Sequence, residues 1–362
     1  MRTLETSVPP RGLSIPAVTA LDPEGNLLEE DQRRLVRFLV QDGRGADVVF
    51  VMGTTGEWNR VTSSVRHRAI QVTAEEMQKF DSERVGRVEA WVGITAGDLH
   101  DTLETLELAL DVGADAAVIA PLAIPDAPHP VELMRRTVAD FLDARSARIP
   151  IYLYDNPDIA RVSETHLRTQ WVKELSRLDF VRGIKVSTNA RRLGNYTKAA
   201  RHFRDLGAFH IYVGNALYIL EMMQPRSGVW GKLVDKWNRF LLHDMLPAGV
   251  VAGPANLLPR EWQRAWQVSC AGDVERMREL HRYFTEFRSS YVFPEGKRSL
   301  ATLKRGLMNL GVLSSDAVAE GTPALNASQA DRFDQSFEAL RSQAAAFLPE
   351  RWISDPAWAD QR

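Results

Sequence analysis

The chain has one cysteine in 362 residues, no long apolar run and almost no net charge. Cys270 stands alone, which excludes an intrachain disulfide and any cluster of thiolate metal ligands. No window approaches the roughly 18 uncharged apolar residues of a membrane-spanning helix. The opening MRTLETSVPPRGLSIP lacks the apolar segment of a signal peptide. With 45 basic against 47 acidic side chains, the net charge of −2 provides no basic field for nucleic acid. No G-x-G-x-x-G follows the first apolar run, and no G-x-S-x-G occurs anywhere. Gly296-Lys297-Arg298-Ser299 lacks the earlier glycine of a phosphate loop, and the eight histidines form no H-x-H or H-x-x-x-H pair. The expectation is a soluble, cytoplasmic protein with no metal and neither membrane nor nucleic acid as a partner.

What is there is ordinary globular composition, 44% hydrophobic and 25% charged. The length exceeds the roughly 250 residues of a barrel domain and would also suit two mid-sized domains. Eight short runs rich in Val and Ile punctuate the chain: 13–18, 46–53, 88–95, 116–122, 149–157, 180–187, 209–215 and 249–253. They lack strict alternation and end in Gly, Pro, Asn, Ser or Thr, as strands buried on both faces of a parallel sheet do. Between them lie helix-period segments, such as Leu103, Leu106 and Leu110 after a capping Asp98, and Leu167, Trp171 and Leu175 after a capping Ser163. Eight strands, each followed by a helix, predict a (β/α)8 TIM barrel; a doubly wound open sheet is the alternative.

The expected barrel spans residues 1–258. From 259 to 348 the pattern is helical alone, read as three helices (260–287, 299–313 and 327–348) in a C-terminal extension, followed by a tail at 349–362 that frays or docks on a neighbour through Trp352 and Trp358. An insertion at 225–246 places Val229, Leu233, Trp237 and Leu241 on one helical face, for extra packing or subunit contact.

Barrel chemistry sits at the C-terminal ends of the strands. There the runs carry Gly53-Thr54-Thr55-Gly56-Glu57, Tyr154-Asp155-Asn156-Pro157, Gly183-Ile184-Lys185-Val186-Ser187 and Gly214-Asn215-Ala216. A lysine amid FVRGIKVS is costly unless paired or neutral. One reading is a strand-end lysine whose head reaches water or a carboxylate; the other is an amine that forms a Schiff base with a ketone. Desolvation in a barrel favours the neutral, nucleophilic form of such an amine. Tyr154 lies one βα unit earlier, either filling the top of the core or moving protons during imine formation. Gly53-Thr54-Thr55-Gly56 is either a plain turn or a cradle in which backbone N–H groups and hydroxyls hold a carboxylate. His166 and His202 read as helix-surface residues, and Trp58 as a pocket wall or simple packing.

Taken in order, GTTGE, YDNP, GIKVS, Gly214-Asn215-Ala216 and GVVAGPANLLP resemble the motifs of the dihydrodipicolinate synthase/N-acetylneuraminate lyase family of class I aldolases. Ile15-Pro16-Ala17-Val18-Thr19 echoes its opening strand, and the match runs over roughly residues 12–345. The resemblance implies Lys185 as Schiff-base lysine, Tyr154 as proton relay and Thr54 as the partner of that tyrosine. It also implies that Gly53 and Thr55 grip the carboxylate of a 2-oxoacid, and that Gly214 and the Val251 carbonyl line the site. No cofactor is implied; a homo-oligomer, dimer or tetramer, is.

Several positions depart from the family pattern. Where the synthase has an arginine for a second carboxylate this chain has Ile159, with Arg161 two further on. Pro121-Leu122-Ala123 holds no tyrosine to lend to a neighbouring subunit, and Ala216 and Leu217 replace the acidic residues of the sialic-acid lyase. Val186 stands where a carboxylate often follows the lysine. These apolar replacements resemble the hydratase-aldolase branch, which acts on aromatic or otherwise apolar ylidene-pyruvates. A dehydratase of a 2-oxo-3-deoxy sugar acid and a non-catalytic ligand-binding member of the family are the alternatives.

Overall fold

The computed structural model describes residues 12–80, 86–187, 193, 196, 209–217, 220, 228–233, 236 and 247–361. Eight parallel strands close into a barrel in chain order. They are β1 (Gly12–Pro16), β2 (Val48–Val51), β3 (Glu89–Gly93), β4 (Ala116–Ile119), β5 (Ile151–Asp155), β6 (Val181–Val186), β7 (His210–Val213) and β8 (Gly249–Val251). Each lies within one of the eight apolar runs except β1, which starts one residue before its run, and β2 to β5 and β8 are buried throughout. Closure removes both sheet edges, so every strand can be covered on both faces, which is why the runs show no alternation.

The helices that alternate with the strands are α1 (Glu29–Val40), α2 (Ser63–Met77), α3 (Leu99–Asp111), α4 (Pro130–Glu132, continuing through Leu133–Val138 and Ala139–Ala144) and α5 (Thr169–Leu175). Asp98 caps α3 as expected, its side chain accepting from Asp101 N at 2.8 Å. The Ser163 cap is corrected: α5 starts at Thr169 after Arg168, and Ser163 lies before it in a loop, its hydroxyl on Glu164. The helical period there begins one turn later than the polar residue suggested.

The chain forms two compact units. One is built on Trp91–Tyr218 and Pro225–Val251. In it, Trp91 of β3, Tyr152 of β5 and Tyr212 of β7 form an aromatic layer, with ring centroids 4.2 to 5.8 Å apart. A layer drawn from alternate strands is how a small barrel fills its interior. Two glycines make room for it. A Cβ on Gly183 would stand 2.5 Å from the Tyr152 ring, and one on Gly249 would stand 2.2 Å from the Tyr212 ring. In the insertion, residues 228–233 are helical and leave Val229 77%, Trp230 81% and Leu233 52% exposed. Trp237, Leu241 and His202 lie outside the described residues.

The other unit is built on Leu13–Ala90 and Ala252–Arg362. It carries α6 (Pro259–Ala271), α7 (Val274–Ser290), α8 (Ser299–Asn309) and α9 (Ala327–Phe347). The single helix expected over 260–287 is thus two. Gly272 adopts a left-handed φ of 71° and Asp273 caps α7 by accepting from Arg276 N, so the chain turns where the apolar period alone runs through. Trp262 of α6 stacks on Phe284 of α7 at 3.9 Å. Between α7 and α8, Val292–Phe293 and Gly296–Lys297 pair as a short antiparallel ribbon.

The tail neither frays nor waits for a neighbour: it docks within this unit. Ser354 N and its hydroxyl both donate to the buried Glu261 carboxylate, Gln41 exchanges two hydrogen bonds with the Asp355 backbone, and Arg37 Nε donates to the Ala359 carbonyl at 2.7 Å. Burial pushes the Glu261 carboxyl above its ordinary range, against the pull of the Ser354 donors. Among the described residues no helix is long and apolar enough to cross a membrane.

Candidate active site

The residues singled out in the sequence lie at the C-terminal ends of β2, β5, β6, β7 and β8. In the unit built on Trp91–Tyr218, the β5–β6 ladder makes Tyr154 and Lys185 register partners. Tyr152 and Gly183 are partners two residues earlier on the same face, so alternation puts Lys185 directly beyond the aromatic layer. Lys185 is 5% exposed, and its Nζ lies 3.9 Å from the centroid of the Tyr154 ring. Tyr154 is itself buried.

The phenol has polar company that the sequence reading did not assign. The Asn156 amide donates to Tyr154 Oη at 2.9 Å, and Ser187 Oγ stands 3.4 Å from the same oxygen. An N–H aimed at a phenol oxygen occupies one of its acceptor positions. Both residues belong to the motifs YDNP and GIKVS, which was the available signal. Gly214 serves this corner by absence: a Cβ there would fall 2.3 Å from Ser187 Oγ. Val251, the last residue of β8, is buried in the same unit.

Asp155 points to the opposite face of β5 and is fully buried. Its carboxylate accepts from the Leu167 N–H at 2.9 Å and from the Tyr196 hydroxyl at 2.6 Å, and His166 Nδ1 lies 3.0 Å from it. His166 is therefore not a helix-surface residue. It precedes α5 and, with these neighbours, ties the loop after β5 to the strand. At Ile159 the chain makes a short turn, and Arg161 N donates to the Leu122 carbonyl at 2.7 Å.

In the unit built on Leu13–Ala90 and Ala252–Arg362, Gly53 leads into a single tight turn, Thr54–Gly56. A Cβ on Gly53 would stand 2.8 Å from the Phe50 ring, so only glycine fits there unless that ring shifts. Thr19 Oγ1 donates to the Gly56 carbonyl at 2.7 Å. Thr55 Oγ1 would lie 3.6 Å from a Cβ on Gly253, which places the two turns side by side. The Gly253 turn is held by Asn256, whose amide donates to the Gly253 and Pro16 carbonyls at 2.8 Å while its oxygen accepts from Val18 N. Trp58 is buried within this unit.

Glu57, the last letter of GTTGE, was quoted in the sequence without a role. It is fully buried with a left-handed φ of 58°, and Lys304 Nζ of α8 lies 2.6 Å from its Oε2. Its other oxygen accepts from Ala319 N at 2.9 Å and from Thr322 Oγ1 at 2.6 Å. Burial pushes the Lys304 amine below its ordinary value even with that carboxylate in contact.

A parallel barrel with a buried lysine facing a tyrosine across neighbouring strand ends is the arrangement of the class I aldolase lyases. A family model described as the dihydrodipicolinate synthetase family matches residues 9–231. The 4-hydroxy-tetrahydrodipicolinate synthase of Thermus thermophilus is 30% identical over 281 residues, 75% of this chain and 79% of that protein. The enzyme of that name from Citrifermentans bemidjiense is 26% identical over 320 residues, 88% of this chain and 94% of its own. Among solved structures, a catalytic-lysine mutant of Ruminococcus gnavus sialic acid aldolase superposes with a TM-score of 0.75 at 19% identity, covering 96% of this chain and all of that one. Dihydrodipicolinate synthase from Bacteroides thetaiotaomicron gives 0.71 at 22% identity, covering 92% and 99%. The chain belongs to the dihydrodipicolinate synthetase family, and with it to the class I aldolases.

Proposed function

We propose that the protein is a Schiff-base lyase acting on a pyruvate-type 2-oxoacid, with Lys185 as the nucleophile. The observation that carries this reading is Lys185 Nζ held 3.9 Å from the Tyr154 ring centroid at the ends of adjacent strands. Addition of the amine to the ketone gives a carbinolamine, whose hydroxyl must leave as water before the imine forms. Tyr154, with Asn156 and Ser187 around its oxygen, is the group that supplies and recovers that proton. The protonated imine then accepts the electron pair released when the C–C bond breaks. Thr55, with Gly53, binds the substrate carboxylate through backbone N–H and hydroxyl; Thr54 supports the phenol, and Gly214 and the Val251 carbonyl line the imine side.

The aldehyde partner in this reading is apolar, as in a hydratase-aldolase. Ile159, Ala216 and Leu217 support it, because none can pair with a second carboxylate or a sugar hydroxyl. A homo-oligomer fits the exposed Val229, Trp230 and Leu233, which would gain by burial against another copy.

Borohydride reduction with pyruvate, followed by peptide mass, tests the central step. A reduced adduct of pyruvate on the Lys185 peptide is expected, and its disappearance in Lys185→Arg. No adduct in the wild type favours a ligand-binding protein, and adduct surviving in the variant means another lysine reacts. Pyruvate released from apolar 4-hydroxy-2-oxoacids marks the aldolase; 2,5-dioxo products from sugar acids mark a dehydratase.

A further inference from the structure

Glu57 and Lys304 are 247 residues apart, and the reading above gives neither a role. Each is fully buried. A buried ion pair is weak evidence for stability, since an apolar pair of similar volume often stabilises as well. What this pair does is geometric. Glu57 follows the Thr54–Gly56 turn directly and holds a left-handed backbone that non-glycine residues seldom adopt. Its side chain is gripped by three donors that all come from the C-terminal helical segment: Lys304 Nζ, Ala319 N and Thr322 Oγ1. Lys304 also donates to the Ala317 carbonyl at 2.8 Å, and Arg60 Nη1 donates to Thr322 Oγ1 at 2.7 Å. The turn is thus fastened to α8 and the 317–322 loop, all inside one compact unit.

We propose that Glu57 and Lys304 form a positioning pair that sets the Thr54–Thr55 turn for the substrate carboxylate, which makes the C-terminal helical segment a working part of oxoacid binding. The inference rests on the Schiff-base reading and adds a specific division of labour. Lys185 and Tyr154 carry the bond-making, while the pair governs only how tightly the oxoacid is held before the amine attacks. Releasing Glu57 lets the turn relax, and Thr55 loses its place beside Gly253.

The test is the pyruvate dependence of borohydride trapping at Lys185 in the full chain, with folding checked by circular dichroism. Lys304→Met and Glu57→Gln should raise the half-saturating pyruvate concentration about tenfold or more, while the maximal trapping rate falls by less than about threefold, the signature of lost ground-state binding. Lys304→Arg, which keeps the charge, should recover part of the loss. Should either apolar or neutral variant fail to fold, Thr322→Val takes its place, removing one donor at nearly constant volume. It should raise half-saturation by about two- to fivefold, in line with one lost hydrogen bond to a charged group. Unchanged half-saturation in folded variants, or a fall in maximal rate alone, overturns the pair's role while leaving the Schiff base standing. Absence of any adduct in the wild type overturns the Schiff base and this role with it.

Discussion

Two lysines are buried in the described part of this chain, and their surroundings differ in kind. Lys304 meets a full negative charge, the Glu57 carboxylate at 2.6 Å, together with the Ala317 carbonyl. Lys185 meets the face of the Tyr154 ring. An aromatic face attracts an ammonium by only about 0.5–2 kcal/mol and carries no full charge to fix it. The first amine is held as a strut by a carboxylate and a carbonyl, whereas the second lies over an aromatic face. Burial is thus common to both amines, and what faces each nitrogen tells them apart. The same contrast separates the two units: the turn at Thr54–Gly56 is anchored by charge, and the β5–β6 ends are arranged around a phenol.

The largest expected effect that would sharpen this comparison comes from the phenol. Tyr154→Phe keeps the ring under Lys185 and removes the oxygen that Asn156 and Ser187 approach. Turnover should fall by about two to four powers of ten, the usual worth of a general acid–base group. A fall of less than threefold would assign the proton to another residue. Next comes Lys304→Met, which strands the Glu57 carboxylate without its counter-charge. Denaturant unfolding should show a loss of about 3–5 kcal/mol, as when one partner of a buried pair is removed, and Glu57→Gln in the same chain should restore part of it. A loss below about 1 kcal/mol, the range of exposed pairs, would mean that water reaches the carboxylate.

His210 at the start of β7 offers the smallest test, a half-buried titratable group near a like charge. Burial and the neighbouring Arg182 hold its imidazole below the ordinary value. Below about pH 6.5 the unfolded chain takes up a proton that the native chain resists, so stability should drop as the pH falls through that window and stay flat above it. The melting temperature of the wild type should fall further between pH 7.5 and 5.5 than that of His210→Gln. Equal losses would exclude the histidine as the cause.

Much of this arrangement was legible from local pattern. Every run coincides with a strand, though β1 begins one residue before its run, and each run extends past its strand's end, as 46–53 does beyond Val51, because apolar residues continue into the turn where Met52 takes a positive φ. Asp98 could be read as a cap since an Asp side chain acts within three residues of itself. The motif positions of Tyr154, Asn156, Lys185 and Ser187 stand close because parallel neighbours share register. Legibility ended where partners are remote. His166 was misread because Asp155 meets it only after the loop folds back on β5. Docking of the tail depended on Glu261, Gln41 and Arg37, none of which advertises such a role in sequence.

Residue order alone determined the ring of parallel strands and which lysine and tyrosine stand at its mouth. Periodicity and spacing are local properties, and a βα unit repeats them at each turn of the chain. Only tertiary structure decided that Glu57 would meet Lys304 and that a phenol face would meet Lys185 Nζ at 3.9 Å. A charge buried far from its partner in sequence finds it through packing, since distances across hundreds of residues are set only when the whole chain closes.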